Sequence, residues 1–107
     1  MSSNINSKVK PPVEPKAVHG GKVSATGNVT NGTEGFGAER QATAAQGFIL
    51  SWPEPIEGGY VVDADLNIEG LYRVPTANKT PTSCRLIISN HAGTELFNNF
   101  TVAVREL

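Results

Sequence analysis

The clearest pattern in the sequence is an alternation of apolar and polar residues between positions 60 and 68. The two alternating sets are Tyr60, Val62, Ala64, Leu66 and Ile68 on one side, and Val61, Asp63, Asp65 and Asn67 on the other. A period of two is typical of a strand that turns one face to a core and the other to water. We therefore predict a β-strand here, and we expect the rest of the chain to supply its neighbours.

Segments on the N-terminal side of this strand show weaker patterns. The alternation from Lys22 to Thr30 predicts a strand, and the apolar run from Phe48 to Trp52 predicts a strand buried on both faces. The paired glycines that follow Val18 and His19 predict a turn or a strand end. Asn31-Gly32 is the dipeptide that hairpin turns favour, because both of its residues accept a positive φ.

Residues 38–46 give two alternatives. The glycines at positions 37 and 47 bound a segment that could form two helical turns, but its only apolar residues are alanines. Such a helix could not stabilise itself by burying an apolar face. A loop or an edge strand is the other interpretation.

Further strands are predicted towards the C-terminus. Leu71 to Val74 follows Gly70 either as a second strand or as the same strand after a bulge. Ser83 to Ser89 places Cys84, Leu86 and Ile88 on one face, and Glu95 to Glu106 alternates through Phe100, Val102 and Val104. Pro75 to Thr82 is predicted to be a loop, and 90–94 a turn.

Together these patterns predict an all-β protein with about 6–7 short strands, arranged as a single antiparallel β-sandwich or jelly-roll-like domain over residues 17–107. A length of 107 residues fits one domain. Only 38% of the residues are apolar, and the abundance of Gly, Asn, Thr and Ser favours turns over helices. The immunoglobulin spacing of two cysteines around a tryptophan is absent, so jelly-roll and immunoglobulin-like strand orders both stay open.

Residues 1–16 are predicted to be an extended N-terminal arm. They contain Pro11, Pro12 and Pro15 and show no periodic apolar face. Proline removes backbone donors and favours the extended polyproline conformation. Two interpretations stay open: a terminus that remains flexible, and an arm that becomes ordered on a neighbouring subunit. In the second, Val9, Pro11, Pro12 and Val13 are among the residues that contact the partner.

Charge and cysteine content exclude several classes of function. The net charge is −1, and the arm carries three lysines against one glutamate, which is too few clustered cations for a nucleic-acid partner. A single cysteine allows no intrachain disulfide. The N-terminus lacks the apolar core of a signal peptide, and no stretch is long and apolar enough for a membrane span. We therefore expect synthesis in the cytoplasm and no membrane partner.

The sharpest candidate for chemistry is the polar face of the predicted strand, which carries Asp63, Asp65, Asn67 and Glu69. Oxygen ligands suit calcium, and the spacing resembles the start of an EF-hand loop. The glycine of that motif falls on Ile68, and its final glutamate falls on Val74. A straight strand also cannot wrap four side chains around one ion, so we interpret these residues as the solvated face of a sheet and expect no metal or other cofactor.

Residues with catalytic potential are scattered. Cys84 shares a face with apolar residues and is predicted to be a core thiol. His19 and His91 lie beside glycines in predicted turns, and Ser24 and Ser51 lack a nucleophile-elbow motif. The sequence therefore predicts no catalytic residues and no enzyme.

Trp52 and Pro53 form the remaining candidate contact. Trp52 precedes a proline-rich loop, so partial exposure of its ring would allow stacking on a sugar or on a partner protein. Packing in or at the edge of the core is the interpretation that we favour for the ring, because aromatic side chains dominate small cores.

In general make-up the chain resembles small β-sandwich accessory proteins of bacteriophage particles, such as capsid decoration or cement proteins and small tail components. The resemblance consists of the length, the proline-containing arm and the Asn/Thr/Gly-rich β body. It implies a non-enzymatic structural or assembly protein, a homo-oligomer and often a trimer, which attaches to capsid or tail subunits and is located in the virion. A carbohydrate- or protein-binding β-sandwich module, with or without calcium, is the alternative, and a cupin-like enzyme is a third.

Overall fold

The computed structural model describes residues 17–107, which form two antiparallel sheets packed face to face. This confirms the predicted all-β sandwich. The strands are β1 (Ala17–Val23), β2 (Val29–Thr30), β3 (Gly37–Arg40), β4 (Phe48–Ser51), β5 (Tyr60–Leu66), β6 (Gly70–Arg73), β7 (Ser83–Asn90), β8 (Glu95–Leu96) and β9 (Phe100–Glu106). A single 3₁₀ turn, Thr76–Asn78, interrupts the loop before β7. The described strands outnumber the predicted ones partly because β2 and β8 have only two residues each.

The first sheet has the strand order β2-β1-β9-β5, and the second has β3-β4-β7-β6, with β8 also paired to β7. The chain crosses from one sheet to the other four times, after β2, β4, β5 and β8. Gly70 therefore begins a separate strand in the other sheet and does not continue β5 after a bulge. The predicted strand from Glu95 to Glu106 is likewise two strands, β8 and β9, in different sheets.

The beginning of the described chain differs most from the sequence prediction. Val18 to Gly21 lies inside β1, whereas a turn or a strand end was predicted there. The predicted strand from Lys22 to Thr30 is a hairpin, in which Ser24 and Asn28 are hydrogen-bonded through their backbones at 2.9 Å and Gly27 has a φ of +94°. Asn31 has a φ of +51°, which confirms a turn, but this turn leads from one sheet to the other.

The ambiguous segment at 38–46 begins as an edge strand. Gly37–Arg40 pairs with β4, and the following residues turn back, with Gly47 N–H bonded to the carbonyl of Thr43 at 3.1 Å. The helical alternative is wrong for this segment. Its alanines contribute too little apolar surface to favour a helix over pairing with β4.

The core lies between the sheets and uses the apolar faces that the alternation predicted. Its fully buried side chains include Phe48, Leu50, Leu86, Ile88 and Val104. In β5 the even-numbered residues face this core and the odd-numbered ones are exposed. β4 buries only one face, because Ile49 is half-buried and Ser51 is exposed, so the expectation of burial on both faces is wrong.

Candidate interaction surface

The outer edge of β5 is the longest strand edge of the first sheet with no neighbouring strand among the described residues. The backbone of Leu107 donates to Gly59 at 3.1 Å, and that of Asn67 donates to Asn99 at 3.3 Å. These bonds extend the β5–β9 ladder at odd-numbered positions of β5. In an antiparallel pair, the residues between hydrogen-bonded pairs turn their backbone groups away from the partner strand. Tyr60, Val62, Ala64 and Leu66 therefore direct their N–H and C=O groups to the outer edge.

The first half of this edge is covered by two side chains. Lys79 Nζ donates to the carbonyl of Tyr60 at 2.9 Å, and the Tyr72 hydroxyl donates to the carbonyl of Val62 at 3.2 Å. Within residues 17–107, no strand pairs with the outward groups of Ala64 and Leu66, and no side chain forms a hydrogen bond with them. An unpaired strand edge is a template for pairing with another chain. We call the outward backbone groups of Ala64 and Leu66 the free edge.

The side chains beside the free edge are acidic and exposed. Asp63 accepts a hydrogen bond from Arg105 Nε at 2.7 Å in an ion pair with the neighbouring strand. Asp65 is the next residue on the same face, and it forms no ion pair within residues 17–107. Val61, 38% exposed, completes this face of β5. A strand that approached the free edge would thus meet carboxylates on its solvent side.

The same residues do not assemble into a metal centre within the described chain. No group of three or more His, Cys, Asp or Glu side chains between residues 17 and 107 is placed to hold an ion. Asp63 and Asp65 are exposed on the outer face, as predicted for the solvated side of a sheet. The arrangement of β5 thus gives no support to calcium-assisted binding.

Trp52 lies in the core, which agrees with the packing interpretation and excludes a partly exposed ring. Its side chain is 3% exposed, and its indole N–H donates to the carbonyl of Pro81 at 2.8 Å. The ring stacks on His19 at 5.5 Å between centroids and meets Tyr60 edge-on at 5.1 Å. A buried ring whose N–H is satisfied offers no surface for stacking on a sugar or a partner. The packing alternative explains this residue.

The other predicted contact residues have different outcomes. Pro53 is exposed beside Trp52, and its contact with a partner stays a prediction. Val9, Pro11, Pro12 and Val13 lie outside the described residues, and their role also stays a prediction.

His19 is buried in β1, although the sequence placed it in a turn. It is 7% exposed, and its Nδ1 has no hydrogen-bond partner within the described residues. His19 also contributes to the lining of a surface groove of about 490 Å³, together with Thr33, Glu34 and Pro53. His91, by contrast, is exposed in the turn before β8. The two histidines therefore belong to unrelated parts of the fold.

Cys84 is the core thiol that the sequence predicted. It is 1% exposed, and burial raises its pKa from an ordinary 9.0 to about 11, while the charge of Lys79 acts in the opposite direction. A thiol that stays protonated at neutral pH is a poor nucleophile. Burial likewise raises the pKa of Tyr60 to about 12, with a smaller contribution from Cys84.

The sequence analysis did not predict that Tyr72 and Lys79 cover part of the β5 edge. Both are separated from their acceptors by loops and belong to different elements, so no local pattern links them to β5. Only the adjacency of β5 and β6 at one side of the sandwich brings Tyr72 to Val62.

No described helix has the length and apolar character needed to cross a membrane. Comparison of the chain with protein-family models, with curated proteins and with solved structures gave no significant match.

Proposed function

We propose that this protein is a non-enzymatic structural protein that assembles with protein partners, including further copies of itself, through its N-terminal arm and the free edge of β5. The observation that supports this most directly is the unpaired backbone of Ala64 and Leu66. Addition of a strand to a sheet edge gains main-chain hydrogen bonds without requiring a deep pocket. In line with the chain's resemblance to bacteriophage accessory proteins, we propose capsid or tail subunits as the larger partner and the virion as the location.

Two observations disfavour the alternatives. The burial of Trp52 removes the aromatic platform on which the carbohydrate-binding hypothesis depended. The burial of Cys84 and its raised pKa disfavour this thiol as a nucleophile. Binding of a partner strand at the edge of β5 requires neither an exposed aromatic ring nor a reactive thiol.

The proposal is tested by size-exclusion chromatography with light scattering. We expect the full chain to form a defined oligomer, and we expect deletion of residues 1–16 or the substitution Ala64→Pro to yield monomers. Proline at position 64 removes an outward N–H that takes no part in the pairing with β9. An edge strand tolerates proline at such a position.

The matched control is Ala38→Pro on edge strand β3. The backbone bond from Gln41 to Gly47 at 2.9 Å continues the β3–β4 ladder at odd-numbered positions of β3, so Ala38 also points its N–H outward. We expect this variant to assemble like the unchanged chain, and circular dichroism will verify that each variant is folded. A monomeric full chain, or assembly that survives both the deletion and Ala64→Pro, would overturn the proposal.

A further inference from the structure

We infer that the strand bound at the free edge is residues 5–11 of a second copy, running antiparallel to β5 with Val9 opposite Ala64. This inference rests on the proposed function and specifies its partner and register. Residues 5–11 lie outside the described part of the chain, so the argument combines their sequence with the geometry of β5.

The first support is the match of backbone donors and acceptors. In this register Val9 faces Ala64 and Ser7 faces Leu66, which are the two positions of β5 with free outward groups. Pro11 then faces Val62, whose carbonyl already accepts the Tyr72 hydroxyl. Proline has no N–H to donate. The incoming segment thus loses its donor at the position where the edge of β5 is already covered.

The second support is the match of side chains on the two faces. Ile5 and Val9 have the same parity as Ser7 and would extend the core-facing side of β5, next to its half-buried Ala64 and Leu66. The other face would place Lys8 opposite Asp65 and Lys10 opposite Asp63, which are the exposed carboxylates beside the free edge. Opposite charges in directly facing positions stabilise a strand pair.

Other registers lose part of this match. A shift by one residue turns both lysines towards the core. A shift by two in one direction places Pro11 opposite Ala64, where a donor is needed. A shift by two in the other direction leaves Asp65 opposite Asn6 and Lys10 opposite Val61.

The direction of the strands favours a second copy over the same chain. β1 and β5 both run antiparallel to β9, so they run in the same direction. A segment antiparallel to β5 in the same molecule would have to reverse within residues 11–16 before entering β1. That connection would also have to pass three strand spacings, roughly 14 Å. Between positions 11 and 17 a proline-rich segment spans at most roughly 19 Å, which leaves little length for the two corners that such a connection would need.

Disulfide trapping tests both the register and the source of the strand. Lys8 and Asp65 would form a non-hydrogen-bonded pair, whose Cα atoms lie about 4.5 Å apart, within the range of a disulfide. Two single variants, Lys8→Cys and Asp65→Cys, are prepared as chains of different size, mixed and oxidised. The native Cys84 is buried, and each single variant oxidised alone gives the background.

We expect the mixture to yield a covalent dimer of mixed size that reducing agent dissolves. The out-of-register pair Lys10→Cys with Asp65→Cys should give roughly tenfold less dimer, because two residues of offset exceed the reach of a disulfide. Equal yields from both pairs would overturn the register.

A double variant, Lys8→Cys with Asp65→Cys in one chain, distinguishes the source. Oxidation of this variant to a monomer with an internal disulfide, with no dimer from the mixed single variants, would show that the arm binds its own chain and would overturn the inference. Assembly detected by light scattering without any cross-link would also overturn it, while the proposed function would stand. A monomeric full chain would overturn both.

Discussion

Tyr60 combines a ring that packs in the core with a hydroxyl group that needs a partner when it is buried. The hydroxyl lies 2.8 Å from the carbonyl oxygens of both Thr80 and Ser83, and so it ties the start of β5 to the loop that precedes β7. Lys79 Nζ lies 4.5 Å from the centre of the ring. The alternation in the sequence predicted the inward direction of Tyr60, but its hydrogen bonds depend on residues about twenty positions away.

Replacing Tyr60 with phenylalanine tests this connection. We expect Tyr60→Phe to lower the free energy of unfolding by about 0.5–1.5 kcal/mol, because the part-buried hydrogen bond that the hydroxyl shares between the carbonyls of Thr80 and Ser83 is lost while the ring packing stays. Urea denaturation measures the change. Tyr72→Phe is the control, since its hydroxyl makes one longer bond, to the edge carbonyl of Val62 at 3.2 Å. Equal losses in the two variants would contradict the special role of Tyr60.

At the scale of elements, β1 shows how a glycine pair can belong to a strand. A Cβ atom on Gly20 would overlap the carbonyl oxygen of Val102 and lie 3.1 Å from the Cα of Ala103. Gly20 thus permits the close approach of β1 and β9, which is a role that glycine has in strands as well as in turns. The sequence alone could not separate these two roles, because the atom that excludes a side chain belongs to β9.

We expect Gly20→Ala to lower the free energy of unfolding by roughly 1–3 kcal/mol, because the backbones of β1 and β9 must move apart. Gly58→Ala is the matched control, since no heavy atom lies within 4 Å of a Cβ built there. Its effect should stay within about 0.5 kcal/mol. Thermal and urea denaturation of both variants give the comparison, and equal stability would show that β1 can shift without cost.

At the scale of the whole molecule, the packing of the two sheets buries two weak acids, Cys84 and Tyr60. Burial disfavours their charged forms, which raises the pKa of Cys84 to about 11 and that of Tyr60 to about 12. In the unfolded chain both groups lose their protons at lower pH. Above pH 9 the folded state therefore binds more protons than the unfolded state, and its stability must fall as the pH rises.

Below about pH 8, we expect these two groups to make no pH-dependent contribution to the free energy of unfolding. Between about pH 9 and 12 we expect that free energy to fall, by on the order of 2 kcal/mol for each group. Cys84→Ala should remove the part of this fall that begins near pH 9 and leave the part due to Tyr60. Urea denaturation at a series of pH values provides the measurement. A Cys84→Ala variant with an unchanged alkaline slope would contradict the assignment to the thiol.

Local sequence patterns were sufficient to predict the fold class and the core-facing side of β5, β7 and β9. A period of two is a local property, because successive side chains of any strand point to opposite faces. It also identified Cys84 as a core residue and Asp63 and Asp65 as a solvated face. No contact with a distant residue is needed for these conclusions.

Which strands are neighbours, and therefore which edge is free, depends on the packing of the whole chain. The crossing of the chain between sheets at Gly70, the stacking of His19 on Trp52 and the covering of Val62 by Tyr72 all join residues whose proximity no local pattern encodes. The same alternation is compatible with many strand orders, since pairing is selected by the packing of whole faces. The free edge beside Asp63 and Asp65 is a consequence of that selection.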